Sequence, residues 1–326
     1  MLLYTVRRLL WIVPVVFVAS IVTFWLMHAA PGSPWNRESR QLDPELVASL
    51  NERFALDQPL PVQYVKWLSG VLQGDFGTSY ATGALRGTQS PFRIETVDVA
   101  AVVGPAFMPS LTLCALAFLL AAVLGIGLGV VAAWNHNGPL DHVATAITVL
   151  GMIGPPFLIA VLLQIVFDTE SFRDPGILPI SGWETPRHWV LPTVALAGLP
   201  MAMIGRFTRA SMLEVLTEPY VRTAHSKGLT PRRVAVIHVL RNALIPVVAI
   251  LGPVLAVLIT SSIVIEQVFQ IPGIGSLYLL AITSRDYGVI MSMTLIYTVA
   301  IAGLNLLVDL LYGLIDPRVR ESTAAA

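Results

Sequence analysis

Charge is scarce in this chain. Asp, Glu, Lys and Arg make up 12% of its 326 residues while 55% are hydrophobic, against roughly 25% charged in globular proteins. That deficit excludes an ordinary soluble domain and implies an integral membrane protein. The 20 basic and 20 acidic residues cancel, so only their placement along the chain is informative. Cysteine is scarcer still, with Cys114 alone. It stands in an apolar run, where a free thiol is expected to be buried and structural. A single cysteine can form no disulfide within the chain and rules out cysteine-rich metal sites.

Catalytic patterns are missing as well. The six histidines, His28, His136, His142, His188, His225 and His238, form no H-E-x-x-H pair. No G-x-x-x-x-G-K-S/T occurs, so the chain is expected not to hydrolyse nucleotide by itself. Asp75-Phe76-Gly77 spells the metal-binding tripeptide of protein kinases, but without an H-R-D loop or a glycine-rich phosphate loop it reads as coincidence. The expectation is therefore a protein that is not an enzyme and holds no metal or cofactor.

Long apolar runs are what the chain has in abundance. A spanning helix needs about 20 mainly apolar residues, and six stretches qualify: 9–30, 107–133, 143–167, 189–207, 243–268 and 289–315. Six spans put both termini on one side. Arg7 and Arg8 precede the first and Arg318 and Arg320 follow the last, so the positive-inside bias puts both ends in the cytoplasm. The insert 214–241 falls on the same side, with Arg222, Lys227, Arg232, Arg233 and Arg241 against Glu214 and Glu218. After the third span, Asp168, Glu170, Asp174 and Glu184 outnumber Arg173 and Arg187, which suits the outer face. The first run is longer than the about 7–15 residues of a signal-peptide core and is taken as an uncleaved span.

The expected fold is thus an all-α integral membrane protein with six transmembrane helices and an external helical subdomain between spans 1 and 2. Its parts are 1–30 (N-terminus and span 1), 31–104 (external), 105–316 (spans 2 to 6, with a cytoplasmic segment at 211–242) and a tail, 317–326. In the external part, Asp43-Pro44-Glu45 reads as a helix start, with Leu46, Val47, Leu50 and Phe54 on one face. A second helix reads over 62–72, with Val62, Val65, Leu68 and Leu72 at helical spacing beside Trp67. These faces are expected to pack on the outer mouth of the membrane domain, because about 74 residues without a disulfide make a marginal independent core.

Glycine and proline punctuate the spans. Gly154-Pro155-Pro156 interrupts the third and Gly252-Pro253 the fifth. Broken helices in membranes face protein or a water-filled cavity, though a packing kink leaves the same trace in a sequence. Gly125 and Gly129 form a G-x-x-x-G pair, read as close packing within the subunit. Glu266 and Asp309 lie near span ends, each expected to pair with a cation or a helix end, and no charge stands at a midplane where a proton relay would need one. The basic insert lacks aromatic interleaving, which argues against nucleic acid.

With no ion site, nucleotide site or catalytic group, one large basic insert suggests that energy enters from outside the chain. Here the sequence resembles the permeases of ABC importers, in which an E-A-A-like helix is followed by glycine and, after a fixed gap, a hydrophobic step. Thr223-Ala224-His225 stands in the E-A-A place, Gly228 in that of the glycine, and His238-Val239-Leu240-Arg241 in that of the I-x-L-P ending. The missing glutamate and the Arg241 in place of proline are similar to the dipeptide/oligopeptide (peptide/nickel) branch. So are Tyr4-Thr5-Val6-Arg7-Arg8, Leu56-Asp57-Gln58-Pro59-Leu60-Pro61, Gly74-Asp75-Phe76-Gly77, Arg206 to Leu216, Asn242-Ala243-Leu244-Ile245-Pro246 and Leu314-Ile315-Asp316-Pro317-Arg318.

The resemblance implies the first of two homologous permease subunits in a bacterial or archaeal plasma membrane. The implied partners are the sister permease, two ATP-binding subunits that hold ATP and Mg, and an extracytoplasmic binding protein that delivers peptide. It also implies an ATPase-coupling helix made by Glu218, Pro219, Tyr220, Val221, Arg222, Thr223, Ala224, His225, Lys227 and Gly228, with Gly228 allowing the turn that follows. Pro155, Gly252, Pro253, Ser261 and Ser262 are candidates for the translocation path, being small, polar or helix-breaking. Related permeases also serve nickel chelates or sugars. A stand-alone carrier would need inverted repeats or midplane charges, and a membrane enzyme would need catalytic residues.

Overall fold

The computed structural model describes residues 2–30, 45, 48, 51–52, 55–79, 97–167, 178–230 and 233–315. Among them run ten α-helices: α1 (Leu2–Ala29), α2 (Leu60–Leu72), α3 (Val99–Trp134), α4 (Pro139–Ile153), α5 (Pro156–Phe167), α6 (Val190–Leu216), α7 (Pro219–Ser226), α8 (Arg241–Val268), α9 (Ile274–Ser284) and α10 (Tyr287–Ile315). A short antiparallel pair joins β1 (Thr78–Ser79) to β2 (Val97–Asp98). The expected helix start at Asp43-Pro44 with its apolar face, the charges at 168–174, Arg232 and the tail 317–326 lie outside the described residues.

Among the described residues five helices are long and apolar enough to cross a membrane, and a sixth span is counted only if α4 and α5 are taken together. The third expected span is therefore not one continuous helix. α4 has 15 residues and α5 has 12, each short of a crossing, and they meet at 101°. Gly154 is extended (φ −111°, ψ 142°), because the proline after it disfavours a helical backbone and the two prolines remove two helical N–H donors. The fifth span departs from expectation the other way. Gly252-Pro253 does not break it, and α8 runs unbroken through Pro246 and Pro253. Other spans are longer than their apolar runs: α3 has 36 residues, about 54 Å against roughly 30 Å of hydrocarbon. It begins at Val99, inside the stretch read as external.

The residues form two compact units, one of Met1–Leu9, Pro109–Ile271 and Ile301–Ala326, the other of Leu10–Met108 and Pro272–Ala300. In the first, α6 is the central helix and packs against α8, α4 and α5. Over its most apolar stretch 56% of α6 is buried, against 22% of α3, which marks α3 as a helix with a face left for lipid or another chain. Leu191, Ala195, Leu196, Ile204, Val254, Leu258 and Ile265 form its core with Leu113 and Ala117 of α3. Glycine sets the spacing. A Cβ at Gly129 would stand 2.6 Å from Gly205 O and Thr208 Cβ, and one at Gly125 2.7 Å from Met201 O, so the G-x-x-x-G pair is occupied by α6.

In the second unit α2 leans on α1, but not by the face its apolar spacing suggests. Val62, Val65 and Leu72 are exposed, and Gln63 and Tyr64 make the contacts. Tyr64 OH shares a hydrogen bond with Ser20 Oγ at 2.8 Å and its ring meets Phe24 edge-on, while Gln63 Oε1 lies 3.2 Å from His28 Nε2. Polar and aromatic partners on α1 override the aliphatic stripe. Asp75-Phe76-Gly77 is a turn, in which the Gly77 N–H donates to Asp75 Oδ1 at 2.8 Å and Gly77 takes φ +82°. Nearby, Ser79 Oγ donates to the buried Asp286 at 2.5 Å and Ser292 Oγ donates to Phe76 O at 3.1 Å, tying the β pair to the start of α10.

Candidate coupling segment and path

α6 ends in a tight turn: the Thr217 N–H donates to Glu214 O and the Glu218 N–H to Val215 O, both at 3.1 Å. Glu218 occupies the N-cap position with extended backbone (φ −66°, ψ 142°), and Pro219 opens α7, where its missing N–H has no cost. Eight residues are too few for an isolated helix, so α7 must be held by packing. Val221 and Ala224, three apart and 1% and 5% exposed, supply the buried face. They meet Met212 of α6, Ala133 of α3, Ala243 of α8, and Val234 and Val239 of the linker. Burying a valine side chain contributes about 1.5–3 kcal/mol, enough to hold so short a helix on its neighbours.

The opposite face is open. Glu218, Pro219, Tyr220, Arg222, Thr223, His225, Lys227 and Gly228 are all exposed. Thr223 Oγ1 donates to Pro219 O at 3.1 Å and Ser226 Oγ to Arg222 O at 3.1 Å, so both hydroxyls serve their own helix. Tyr220 is fastened at its tip, where Asn242 Nδ2 donates to its hydroxyl at 3.0 Å and to His238 O at 2.8 Å. The helix closes with two bonds, Gly228 N–H to His225 O at 2.9 Å and Leu229 N–H to Ala224 O at 3.4 Å. That is the Schellman pattern, and it puts Gly228 at φ +77°. His225 and Lys227 sit at the negative end of the helix dipole, where positive charge is favoured.

Past Gly228 the chain returns to the membrane through Val234–Leu240, which is π-helical and runs straight into α8. Arg233 and Arg241 stand exposed at its two ends. π-helical turns are rare and cluster at functional sites.

The path candidates divide. Pro155 and Pro253 are exposed and Ser261 is half-buried. Ser262 is 1% exposed and donates to Ile259 O at 2.9 Å. Gly252 is buried against α10, where a Cβ would stand 2.6 Å from Asn305 Oδ1. Packing within the subunit accounts for both. Asp309 pairs with Arg8, as an interfacial carboxylate should. Glu266 is 0% exposed within the first unit, two residues before the end of α8.

One cluster went unnoticed in the sequence: Asp141, Arg209, Asn137, Thr145 and His136, on the turn after α3, the start of α4 and the end of α6. Its only local signal is an acidic residue in the first turn of a helix, a common placement.

Comparison with known proteins agrees with this architecture. The chain is 40% identical over 317 residues to the dipeptide transport system permease protein DppB of Bacillus subtilis, covering 97% of each. To the oligopeptide transport system permease protein OppB of Escherichia coli it is 36% identical over 322 residues, 98% of this chain and 100% of that one. The glutathione transport system permease protein GsiC of Pectobacterium atrosepticum is 36% identical over 321 residues, 98% of this chain and 99% of that protein. Among solved structures, an amino acid ABC transporter chain superposes with a TM-score of 0.50 at 17% identity, over 67% of this chain and 99% of that chain, a likeness of fold. Residues 125–321 match the family described as binding-protein-dependent transport system inner membrane component, and residues 1–86 match its N-terminal counterpart. The chain, a multi-pass permease subunit and not an enzyme, belongs to the binding-protein-dependent transport system inner membrane component family.

Proposed function

We propose that the chain is half of the translocation pathway of an ATP-driven peptide importer, working by alternating access, with α7 as its coupling helix. The peptide assignment rests on relatives named for dipeptide and oligopeptide transport across nearly the full length. The coupling assignment rests on one observation above all: a short helix anchored by Val221 and Ala224 turns every other side chain of its length outward at the end of the central helix α6. In this reading Glu218 to Gly228 seat in a cleft of an ATP-binding subunit. Closure of two such subunits around ATP and Mg displaces α7, and the helices follow between inward- and outward-facing states. The sister permease completes the path, to which this chain contributes Pro155, Pro253 and Ser261. An extracytoplasmic binding protein delivers the substrate. Both termini and α7 lie in the cytoplasm of a plasma membrane, the side favoured by Arg7, Arg8, Arg222 and Lys227.

The test is reconstitution of the five-part complex in vesicles, with uptake of labelled alanyl-alanine and tetra-alanine compared with a nickel chelate and maltotriose. ATP-dependent uptake of peptide alone is expected, and uptake of nickel or sugar alone overturns the substrate assignment. Gly228→Asp adds a charge to the docking face while leaving the core untouched. It should keep hydrolysing ATP and lose uptake. Normal uptake by that variant would sink the coupling assignment.

A further inference from the structure

Arg209 and Asp141 are 68 residues apart in sequence yet meet as a fork, with Arg209 Nε donating to Asp141 Oδ1 and Nη2 to Oδ2, both at 2.8 Å. The carboxylate is filled by two further donors, Thr145 Oγ1 to Oδ1 at 3.2 Å and the Asn137 N–H to Oδ2 at 2.9 Å. His136 closes the outer side, its Nδ1 3.3 Å from Arg209 Nη2 and 3.6 Å from Asp141 Oδ2. Asp141 is 2% exposed. Three elements therefore converge on one carboxylate: the turn leaving α3, the first turn of α4, and α6 three residues before Met212, whose side chain packs on α7.

Stability is a weak reason for such a pair, because desolvating two charges offsets most of their attraction. A two-bond fork supplies register instead, since parallel N–H···O bonds weaken quickly with displacement and angle. The neighbouring contacts are of another kind. α3 meets α6 at Gly125 and Gly129, where Ile204 and Thr208 of α6 seat, and α4 meets it at Gly151, where a Cβ would stand 2.6 Å from Gly198 O. These glycine seats are van der Waals contacts, and packed helices can shift along one another by small sliding movements.

We propose that the Asp141–Arg209 fork is a pin that fixes the axial register of α6 against α3 and α4. A displacement of α7 then reaches the membrane-embedded part of α6 as movement of one body, instead of being lost as sliding between helices. Asp141 and Arg209 act here as positioning residues. The inference rests on α7 being the coupling helix.

Arg209→Lys keeps the charge but cannot form the fork, and Asp141→Asn keeps the shape but weakens both bonds. In the complete complex in vesicles, ATP hydrolysis and alanyl-alanine uptake are measured together. Both variants should assemble and hydrolyse ATP within about twofold of the parent, while substrate moved per ATP falls at least about fivefold, the low end of coupling between sites. Unchanged transport per ATP overturns the pin. So does a parallel fall in hydrolysis and uptake that tracks lost assembly, which marks a contact that only supports folding. Gly228→Asp is run beside them. If it transports normally, the coupling-helix reading has failed; if it uncouples and Arg209→Lys does not, only the pin has failed.

Discussion

Gly228 sits at φ +77° with open space where a Cβ would point, so a side chain there meets no clash and costs backbone strain alone. The cost is about 1–2 kcal/mol for an L-residue held in the left-handed region. Gly228→Ala should therefore lower the melting temperature of the detergent-solubilised complex by a few degrees, while Gly228→Asn, better suited to that region, recovers part of the loss. An unchanged melting temperature in the alanine variant would mean that the turn relaxes freely and that α7 is not capped there. The need for a turn-forming glycine was legible, because a short helix-forming run followed by glycine reads as a helix stop. Asp141–Arg209 was not. Nothing within either local segment signals a partner 68 residues away, since a tertiary ion pair leaves no periodicity.

Among the helices, α3 shows how much one missing methyl decides. Gly127 has nothing within 4 Å of its would-be Cβ, whereas Gly129, two residues on, would press a Cβ to 2.6 Å from Gly205 O and Thr208 Cβ. Gly127→Ala should stabilise the complex by up to about 1 kcal/mol through helix propensity. Gly129→Ala should destabilise it by about 1–3 kcal/mol through overpacking against α6, read as a drop in melting temperature. Equal effects at the two sites would mean that α3 does not pack on α6 through this face. The G-x-x-x-G spacing carried that contact in outline, but not its partner. Apolar length located five of the spans but not all their ends: α3 starts eight residues before its apolar run and α6 runs nine past its own. The fate of proline was not readable. Pro155-Pro156 ends α4 while Pro246 and Pro253 ride inside α8, and the difference lies in two donors lost at consecutive positions against two lost seven residues apart.

At the scale of the whole molecule, orientation is open to direct labelling. With Cys114 replaced by Ser, Arg222→Cys should react with a membrane-impermeant maleimide only from the cytoplasmic side, and Arg187→Cys only from the outer side. Reversed labelling would overturn the positive-inside assignment and with it the place of α7. The sequence by itself determined the class: a charge deficit and runs of about 20 apolar residues leave only a membrane-spanning helical bundle. It also marked the basic insert, because charge asymmetry between spans is a property of order along the chain. Tertiary structure decided what each residue of that insert faces, turning Val221 and Ala224 inward and Arg222, His225 and Lys227 outward. It alone joined Asp141 to Arg209, moved Gly252 and Ser262 into packing, and turned α2 onto α1 by Gln63 and Tyr64. Those outcomes depend on which helices become neighbours, and neighbours are chosen by the summed packing of the bundle, which no local stretch of residues encodes.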